Sequence, residues 1–224
     1  RDRRCGAGGP RHPQGDAAAA TSTASAGREA CFWQDSWTIS VRSRSCGARA
    51  SPWTVPTGQE QAALLENKGF QQAFALRCLP REVSRNLWSQ AEFDSVTARK
   101  LCELRERFYP DTVQFPPEQM AVVLTDLYAR GATIVSSEKG YGIYFRREDT
   151  LYFVELMAED DRSAEVLMEA AREKEVIVER AVITVGAAQN LFLGEGTRQD
   201  YGMIRFDAEP FDVEESYMRL MMES

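Results

Sequence analysis

A chain of 224 residues has room for one large domain or two small ones, and its content of 43% hydrophobic and 27% charged residues is that of a soluble globular protein. The formal net charge of −7 disfavours a general nucleic-acid binder, which would carry a basic face. No apolar run approaches the roughly 20 residues that a membrane-spanning helix needs. We therefore expect neither nucleic acid nor a membrane among the partners.

The first 54 residues differ in composition from the rest of the chain. They contain no Leu, Met, Lys or Tyr and are rich in Arg, Ala, Gly and Ser. So poor a supply of large aliphatic side chains cannot bury enough surface to offset the entropy of the chain. We predict that residues 1–54 are a low-complexity, disordered segment. Its start, RDRRCGAGGP, has neither an initiating Met nor the apolar stretch of a signal peptide, which indicates a fragment of a cytoplasmic protein.

The cysteines and the single histidine predict neither a metal site nor a disulfide framework. The cysteines are odd in number, widely spaced and free of any CxxC pair. The histidine, His12, lies in a stretch rich in Pro and Gly. We expect a reduced, cytoplasmic setting without a metal. Cys78 and Cys102 are interpreted as small core residues, because no histidine or helix start lies near them to lower their pKa.

From Val55 onward the composition is that of a folded domain. The stretch EQAALLENKGF spaces its apolar residues as a helix does and ends on Gly69, a good helix stop. The stretch FALRCL alternates as a strand does. Residues 55–80 therefore predict a helix joined directly to a strand.

Residues 81–108 predict linking helices, with a helical pattern that runs from Val83 through ELRERF. Either Ser95 or Thr97 can cap the start of a helix there. The apolar side chains of the last three turns share one face, which is typical of a helix that packs on a core. Pro110 stops the pattern.

Residues 109–224 predict a helix, three strands, a helix, further strands and a closing helix. Pro116 and Pro117 open the first helix and Gly131 closes it. The three strands, at 132–136, 141–146 and 151–158, follow one another as an antiparallel meander. SAEVLMEAAREK predicts the second helix, and DVEESYMRLMME predicts the closing helix. Between them, VIVERAVITVG predicts a strand pair or one bent strand, and YGMIRF predicts a final strand. This order predicts a mixed α/β fold, with a mostly antiparallel sheet and helices packed on it.

The joint between the first predicted helix and its strand resembles the end of the GCN5-related N-acetyltransferase fold. Ala62 and Leu64 in the helix, then Gly69 and Phe70, and then the strand QQAFALR carry the resemblance. YGMIRF and the following YMRLMM resemble the ending of two-lobed bacterial members of this superfamily. The resemblance implies that 55–80 is the remnant of a truncated or scrambled first lobe. It also implies that 109–224 is a degenerate second lobe.

What this resemblance implies about function is acetyl transfer from acetyl-CoA, as co-substrate, to an amine, without a metal. The family holds the pyrophosphate on backbone N–H groups at a helix start, in a loop of Arg or Gln followed by spaced glycines. Arg3, Gly6 and Gly8 match this loop formally and are the candidate cofactor-binding residues. Coincidence in an Arg- and Gly-rich tail is the favoured alternative, because no strand precedes them and GGPRHPQGD cannot continue as a helix.

Two features argue against catalysis by this chain. Leu65 occupies the position of the tyrosine that commonly protonates the leaving thiolate, so we assign no catalytic residue. MAEDDRSAEV lies where the second lobe would carry its phosphate loop. It has no glycine, and Glu159, Asp160 and Asp161 would repel a pyrophosphate. Glu155 could act as a base, but we favour a solvated carboxylate near a turn.

The sequence therefore leaves two hypotheses of function. In the first, the chain is related to the GCN5-related N-acetyltransferases, whose acceptor here is an unknown small-molecule or peptide amine, and it is weakly active or inactive. In the second, it is a non-catalytic α/β module that docks a partner or forms a homo-oligomer. A phosphate-binding glycine loop between a strand and a helix would favour the first.

Overall fold

The computed structural model of the protein describes residues 38–43, 46–54, 59–84, 90–110, 112–206, 217, 219 and 220. Its strands are β1 (Thr38–Ser43), β2 (Cys46–Thr54), β3 (Gln71–Glu82), β4 (Glu92–Phe93), β5 (Thr133–Ser137), β6 (Gly140–Arg147), β7 (Thr150–Ala158), β8 (Arg180–Gly186) and β9 (Thr197–Ile204). Its helices are α1 (Gln59–Glu66), α2 (Ala98–Phe108), α3 (Pro117–Ala129) and α4 (Asp161–Lys174).

The described strands form one sheet in the order β1-β2-β9-β3-β8-β7-β6-β5-β4. The meander β5-β6-β7 is antiparallel, as the sequence predicts. Only β7 and β8 pair in parallel among the described strands, over Thr150–Phe153 and Arg180–Ile183. A parallel pair needs a crossover, and α4 supplies it. The mixed, mostly antiparallel α/β fold predicted from the sequence is confirmed.

Helices cover both faces of the sheet and divide the core into two clusters. Leu101 and Leu104 of α2 and four apolar residues of α3 pack against one face. On the other face, α4 packs its apolar side over β5, β6 and β7. The residues of α4 that carry this contact are Ala164, Leu167, Met168, Ala170 and Ala171.

The helix ends follow the local signals in the sequence. Gly69, after α1, has a φ of +83°, a left-handed conformation that glycine adopts without steric cost. The Thr97 hydroxyl accepts a hydrogen bond from the Lys100 backbone N–H at 3.3 Å and caps α2. Pro117 opens α3, and Gly131 follows it with a φ of +88°.

The helical pattern predicted from Val83 to residue 108 is wrong over residues 90–97. Residues 92–93 form the edge strand β4 and α2 begins at Ala98, while residues 85–89 lie outside the described part of the chain. Asp94 exchanges hydrogen bonds with Ile134 of β5, through its backbone N–H at 2.8 Å and its carboxylate at 2.9 Å. Pairing with the sheet therefore outweighs the helical periodicity here. The segment 176–186, predicted to be a strand pair or one bent strand, forms the single strand β8, which begins at Arg180.

Other predictions fall partly or wholly outside the described residues. Within 1–54, predicted to be disordered, the structure describes the antiparallel pair β1 and β2, while residues 1–37 and 44–45 lie outside it. Most of the closing helix predicted over 212–223 also lies outside the described residues. Strand β3 lies between β9 and β8, so residues 71–80 share a sheet with strands of 109–224. The division into lobes stays a prediction.

A buried ion pair joins α2 to the centre of the sheet. Arg105 and Glu155 are both 0% exposed, and Arg105 Nη1 donates to both oxygens of the Glu155 carboxylate. Arg105 Nη2 donates to the Thr112 hydroxyl at 2.8 Å and to the Val113 carbonyl at 3.1 Å. The Tyr141 hydroxyl donates to Glu155 Oε1. Burial is the largest single influence and lowers the pKa of Arg105, but Glu155, Tyr141 and Tyr217 together outweigh it, so the pKa is raised above the ordinary value.

The substitution Arg105→Met should reduce the free energy of unfolding by about 3–5 kcal/mol, because it leaves the Glu155 carboxylate buried without its ion partner. Urea denaturation followed by circular dichroism measures the loss. The double variant Arg105→Met with Glu155→Leu buries no unpaired charge and should recover much of the stability. A double variant no more stable than Arg105→Met would contradict this explanation.

Candidate functional site

The junction between β7 and α4 is where the family resemblance places a phosphate-binding loop. Asp160 caps the helix instead, and its carboxylate accepts the Ser163 backbone N–H at 2.7 Å. Asp161 Oδ1 accepts the backbone N–H of Phe192 at 2.7 Å. Glu159, Asp160 and Asp161 are all exposed. The start of a helix favours negative charge, and at α4 the carboxylates of this acidic junction supply that charge.

Hydrogen bonding holds the Asp160 carboxylate in its charged form. The hydrogen bonds that Ser163 donates, first from its backbone N–H, hold the pKa of Asp160 below its ordinary value of 3.8. A pyrophosphate brought to this helix start would meet three carboxylates and a capped N–H group. The junction does not have the features of an anion site.

A second feature of interest is the gap where β7 and β8 separate. Beyond Phe153 and Ile183 the two strands no longer pair, and the buried side chain of Gln189 spans the space between them. Its Oε1 accepts the Gly186 backbone N–H at 3.0 Å, and its Nε2 donates to the Leu156 carbonyl at 2.9 Å. A backbone donor on one strand and a backbone acceptor on the other are therefore satisfied by the chain itself.

Arg77 of β3 positions the loop that carries Gln189. Its guanidinium donates to four backbone carbonyls at 2.6–3.0 Å, and the side chain is almost fully buried. The four acceptors are the carbonyls of Gln189, Leu191, Phe192 and Glu195. A single guanidinium thus orders the loop between β8 and β9, which fixes the direction of the Gln189 side chain.

Aromatic side chains fill the space beside Gly186. A Cβ atom at Gly186 would lie 2.8 Å from Tyr109 Cε1 and 3.1 Å from Tyr217 Cβ. The Tyr217 hydroxyl donates to the Val154 carbonyl of β7 at 3.1 Å. The Tyr217 carbonyl in turn accepts from the Val113 N–H and the Thr112 hydroxyl, each at 2.9 Å. The gap between β7 and β8 is therefore occupied by side chains of this protein.

No exposed tyrosine replaces the missing proton donor of α1. Leu65, at that position, is buried in the core. Tyr141 is fully buried, and burial followed by the nearby Glu155 carboxylate raises its pKa well above the ordinary value. Tyr128 and Tyr152 are 39% and 38% exposed, but one lies on α3 and the other on the part of β7 far from α4.

The interpretation of Glu155 as a solvated carboxylate is wrong. Glu155 lies inside β7, is 0% exposed and pairs with Arg105. Its partners lie on α2 and β6, so strand sequence alone contains no signal of its burial. Because both oxygens of the carboxylate are engaged, Glu155 has a structural role and cannot reach a substrate.

The remaining candidate site residues either lie outside the described part of the chain or are half-buried cysteines. Arg3, Gly6, Gly8 and His12 lie outside the described residues. Cys78 and Cys102 are half-buried free thiols. Burial raises the pKa of Cys102, as expected for a packing residue rather than a nucleophile. Within the described part of the chain, no three His, Cys, Asp or Glu residues cluster as metal ligands, and no helix is long and apolar enough to cross a bilayer.

Comparison with known proteins identifies the fold. No family model matches the sequence, and no curated protein matches it. A conserved protein of unknown function from Enterococcus faecalis V583, described as a probable N-acyltransferase, has a similar structure with a TM-score of 0.50 and 14% identity. The match covers 74% of this chain and 46% of that one. This chain therefore spans less than half the length of that protein.

Two further solved structures have lower TM-scores. A GCN5-related N-acetyltransferase from Kribbella flavida has a TM-score of 0.49 and 13% identity over 68% of this chain and 42% of that one. Another from Anabaena variabilis ATCC 29413 has a TM-score of 0.47 and 14% identity over 86% and 51%. The described part of this chain shares its fold with the Enterococcus faecalis protein described as a probable N-acyltransferase, which agrees with the fold expected from the resemblance in the sequence. At these identities the likeness concerns the fold alone.

The substitution Asp160→Ala should reduce the free energy of unfolding at neutral pH, because it removes the cap of α4. Asp160→Asn is the control, since its side-chain oxygen still accepts the Ser163 N–H. The folded pKa of Asp160 is lowered, so its carboxylate stabilises the protein above the unfolded pKa, and this stabilisation is lost as pH falls through the folded pKa. Urea denaturation from pH 7 to below 3.8 should show the deficit of Asp160→Ala shrinking; a constant deficit would contradict the assignment.

The substitution Gln189→Leu should reduce the free energy of unfolding by about 2–4 kcal/mol, because it leaves the Gly186 N–H and the Leu156 carbonyl buried without partners. Asn190→Leu changes the neighbouring, exposed amide and should alter stability by less than about 0.5 kcal/mol. Chemical denaturation measures both variants. If Gln189→Leu were as stable as Asn190→Leu, the Gln189 side chain would not be the partner that stabilises the Gly186 N–H and the Leu156 carbonyl.

Proposed function

We propose that this chain is a GCN5-related N-acetyltransferase-type lobe that does not itself hold acetyl-CoA and transfers acetyl groups weakly or not at all. The start of α4 is the observation that supports this proposal. In intact relatives with this fold, acetyl-CoA would donate its acetyl group to an amine, whose identity here is unknown. In a longer protein, the lobe would support or shape an active site formed by other residues.

The described residues do not fit acetyl-CoA. Binding of its pyrophosphate needs several free backbone N–H groups that converge on one point, and glycines usually allow that approach. At the start of α4 the Ser163 N–H is bound to Asp160, no glycine is present, and the nearest charges are negative. In the gap between β7 and β8, the Gln189 side chain forms hydrogen bonds with both strands. The side chains of Tyr109 and Tyr217 pack beside Gly186.

An interaction module is the second candidate function, and one observation favours it. None of the described elements covers the sheet face opposite α4 at one end of β7 and β8, where Tyr152 is exposed and Val182 is half-buried. A catalytic site would concentrate polar groups in an enclosed cleft, whereas this face is broad and open. It lies at the end of β7 far from α4, so the two candidate functions concern different parts of the lobe.

Acetyl-CoA should neither raise the melting temperature of the chain nor be consumed by it. If 1 mM acetyl-CoA is a hundredfold above the Kd of a site on this chain, binding should stabilise the fold by about 2.7 kcal/mol. A thermal scan detects a change of that size readily. Sodium sulfate at the same ionic strength is the matched control for nonspecific effects of anions. Release of free thiol in the presence of a panel of amines measures transfer. Saturable stabilisation by acetyl-CoA would overturn the proposal.

A further inference from the structure

Four neighbouring strands share a surface that no described helix covers. On the face opposite α4, Tyr152 of β7 pairs with Val182 of β8, and Val182 pairs with Pro80 of β3. The next row outward contains Arg147 of β6, Thr150, Arg180 and Glu82. Together these residues line an open depression of about 660 Å³. We call these two rows the open face.

The position of the open face within the sheet is unusual for a solvent-exposed surface. It includes the parallel pairing of β7 with β8, and parallel strands are normally buried on both faces. Here one face is covered by α4, while on the other Tyr152 is 38% exposed, Val182 is half-buried and Pro80 is exposed. An aromatic ring, a valine and a proline on adjacent strands form a surface suited to packing against another protein.

The charges on the open face are arranged in a self-complementary way. Arg147 stands at one end of the outer row and Glu82 at the other, and neither forms an ion pair within the described part of the chain. Between them, Thr150 is buried and Arg180 is already paired with Asp149 at 2.6 Å. Three strand spacings separate the two ends, a distance of about 14 Å. The row therefore has a positive end and a negative end that form no ion pair among the described residues, and the Arg147 guanidinium lies 5.6 Å from the centroid of the Tyr152 ring.

We propose that the open face binds a second copy of this chain through a two-fold axis that runs along β7 and β8. Such an axis places Arg147 of one copy opposite Glu82 of the other, and does so twice because the interface is isologous. It also places Tyr152 of one copy over Val182 of the other. A sheet packed face to face on its own copy covers the parallel pair in the way that such strands require.

The charge pattern favours a second copy over other occupants. A nucleic acid would need a surface of one positive sign, and the free ends of this row have opposite signs. An unrelated protein would need a complementary pattern of its own, whereas the copy carries that pattern by symmetry. The inference deepens the second candidate function, the interaction module, and does not rest on the first, because the open face and the start of α4 lie at opposite ends of β7.

Sedimentation equilibrium of the full chain tests the proposal. The wild-type chain should form dimers that weaken as salt rises. Arg147→Glu and Glu82→Arg should each raise the dimer Kd about tenfold, because each turns two attractions into two repulsions. The double variant Arg147→Glu with Glu82→Arg restores opposite signs across the axis and should return the Kd to about the wild-type value. Rescue of this kind would not follow from a general loss of folding.

The matched control is Arg198→Glu on β9. Arg198 is exposed and pairs with Arg77, so it projects from the opposite face of the sheet, and it forms no ion pair among the described residues. It should leave the dimer Kd unchanged. A wild-type chain that is monomeric at its highest soluble concentration would overturn the proposal. So would a double variant that is as weak as the single ones, or an equal effect of Arg198→Glu.

Discussion

The buried pair of Arg105 and Glu155 is the contact on which the arrangement of the lobe depends. It lies where α2, β6, β7 and the chain around Tyr217 meet, and every atom of both residues is removed from solvent. A buried ion pair is stabilised when its partner and further hydrogen bonds replace most of the lost hydration. Thr112, Val113 and Tyr141 supply such hydrogen bonds, while Arg105 Nε is buried without a hydrogen-bond partner among the described residues. The pair therefore specifies how α2 sits on the sheet rather than merely adding stability.

The same requirement for satisfied polar groups applies at two further places among the described residues. Two places in this fold could offer free backbone groups to a ligand: the start of α4 and the gap between β7 and β8. In this chain Asp160 and Gln189 bind those groups, and Arg77 orders the loop that brings Gln189 into place. These hydrogen bonds within the chain stabilise the fold, and they occupy backbone groups that an anion or an amide ligand would otherwise bind.

The two ends of β7 consequently have different characters. Toward α4 the strand is enclosed, with Glu155 and Met157 buried and the neighbouring gap filled. Toward the turn at Glu148 one face of the strand is open, and its exposed groups are apolar in one row and oppositely charged at the ends of the other. The enclosed and the open part of the sheet are thus separated along one strand, and the proposed association concerns the open part.

The sequence by itself determined the elements and many of their ends. Gly69, Thr97 and Pro117 act within a few residues of their own positions, so local signals located three helix boundaries. The acidic start of α4 was also visible, because helix capping is a local property. The resemblance that identified the fold rests on the equally local joint at Gly69 and Phe70.

Only the tertiary structure decided which polar groups are buried and what they do. Glu155 meets Arg105 across 50 residues, and Arg77 meets the loop of Gln189 across more than 100, so no pattern along the chain pairs them. Burial also reversed the interpretation of Glu155, since the same carboxylate in a strand is solvated or enclosed according to which helix lies over it. Local chemistry sets where an element starts and stops, whereas the partners of a charge depend on how distant segments pack.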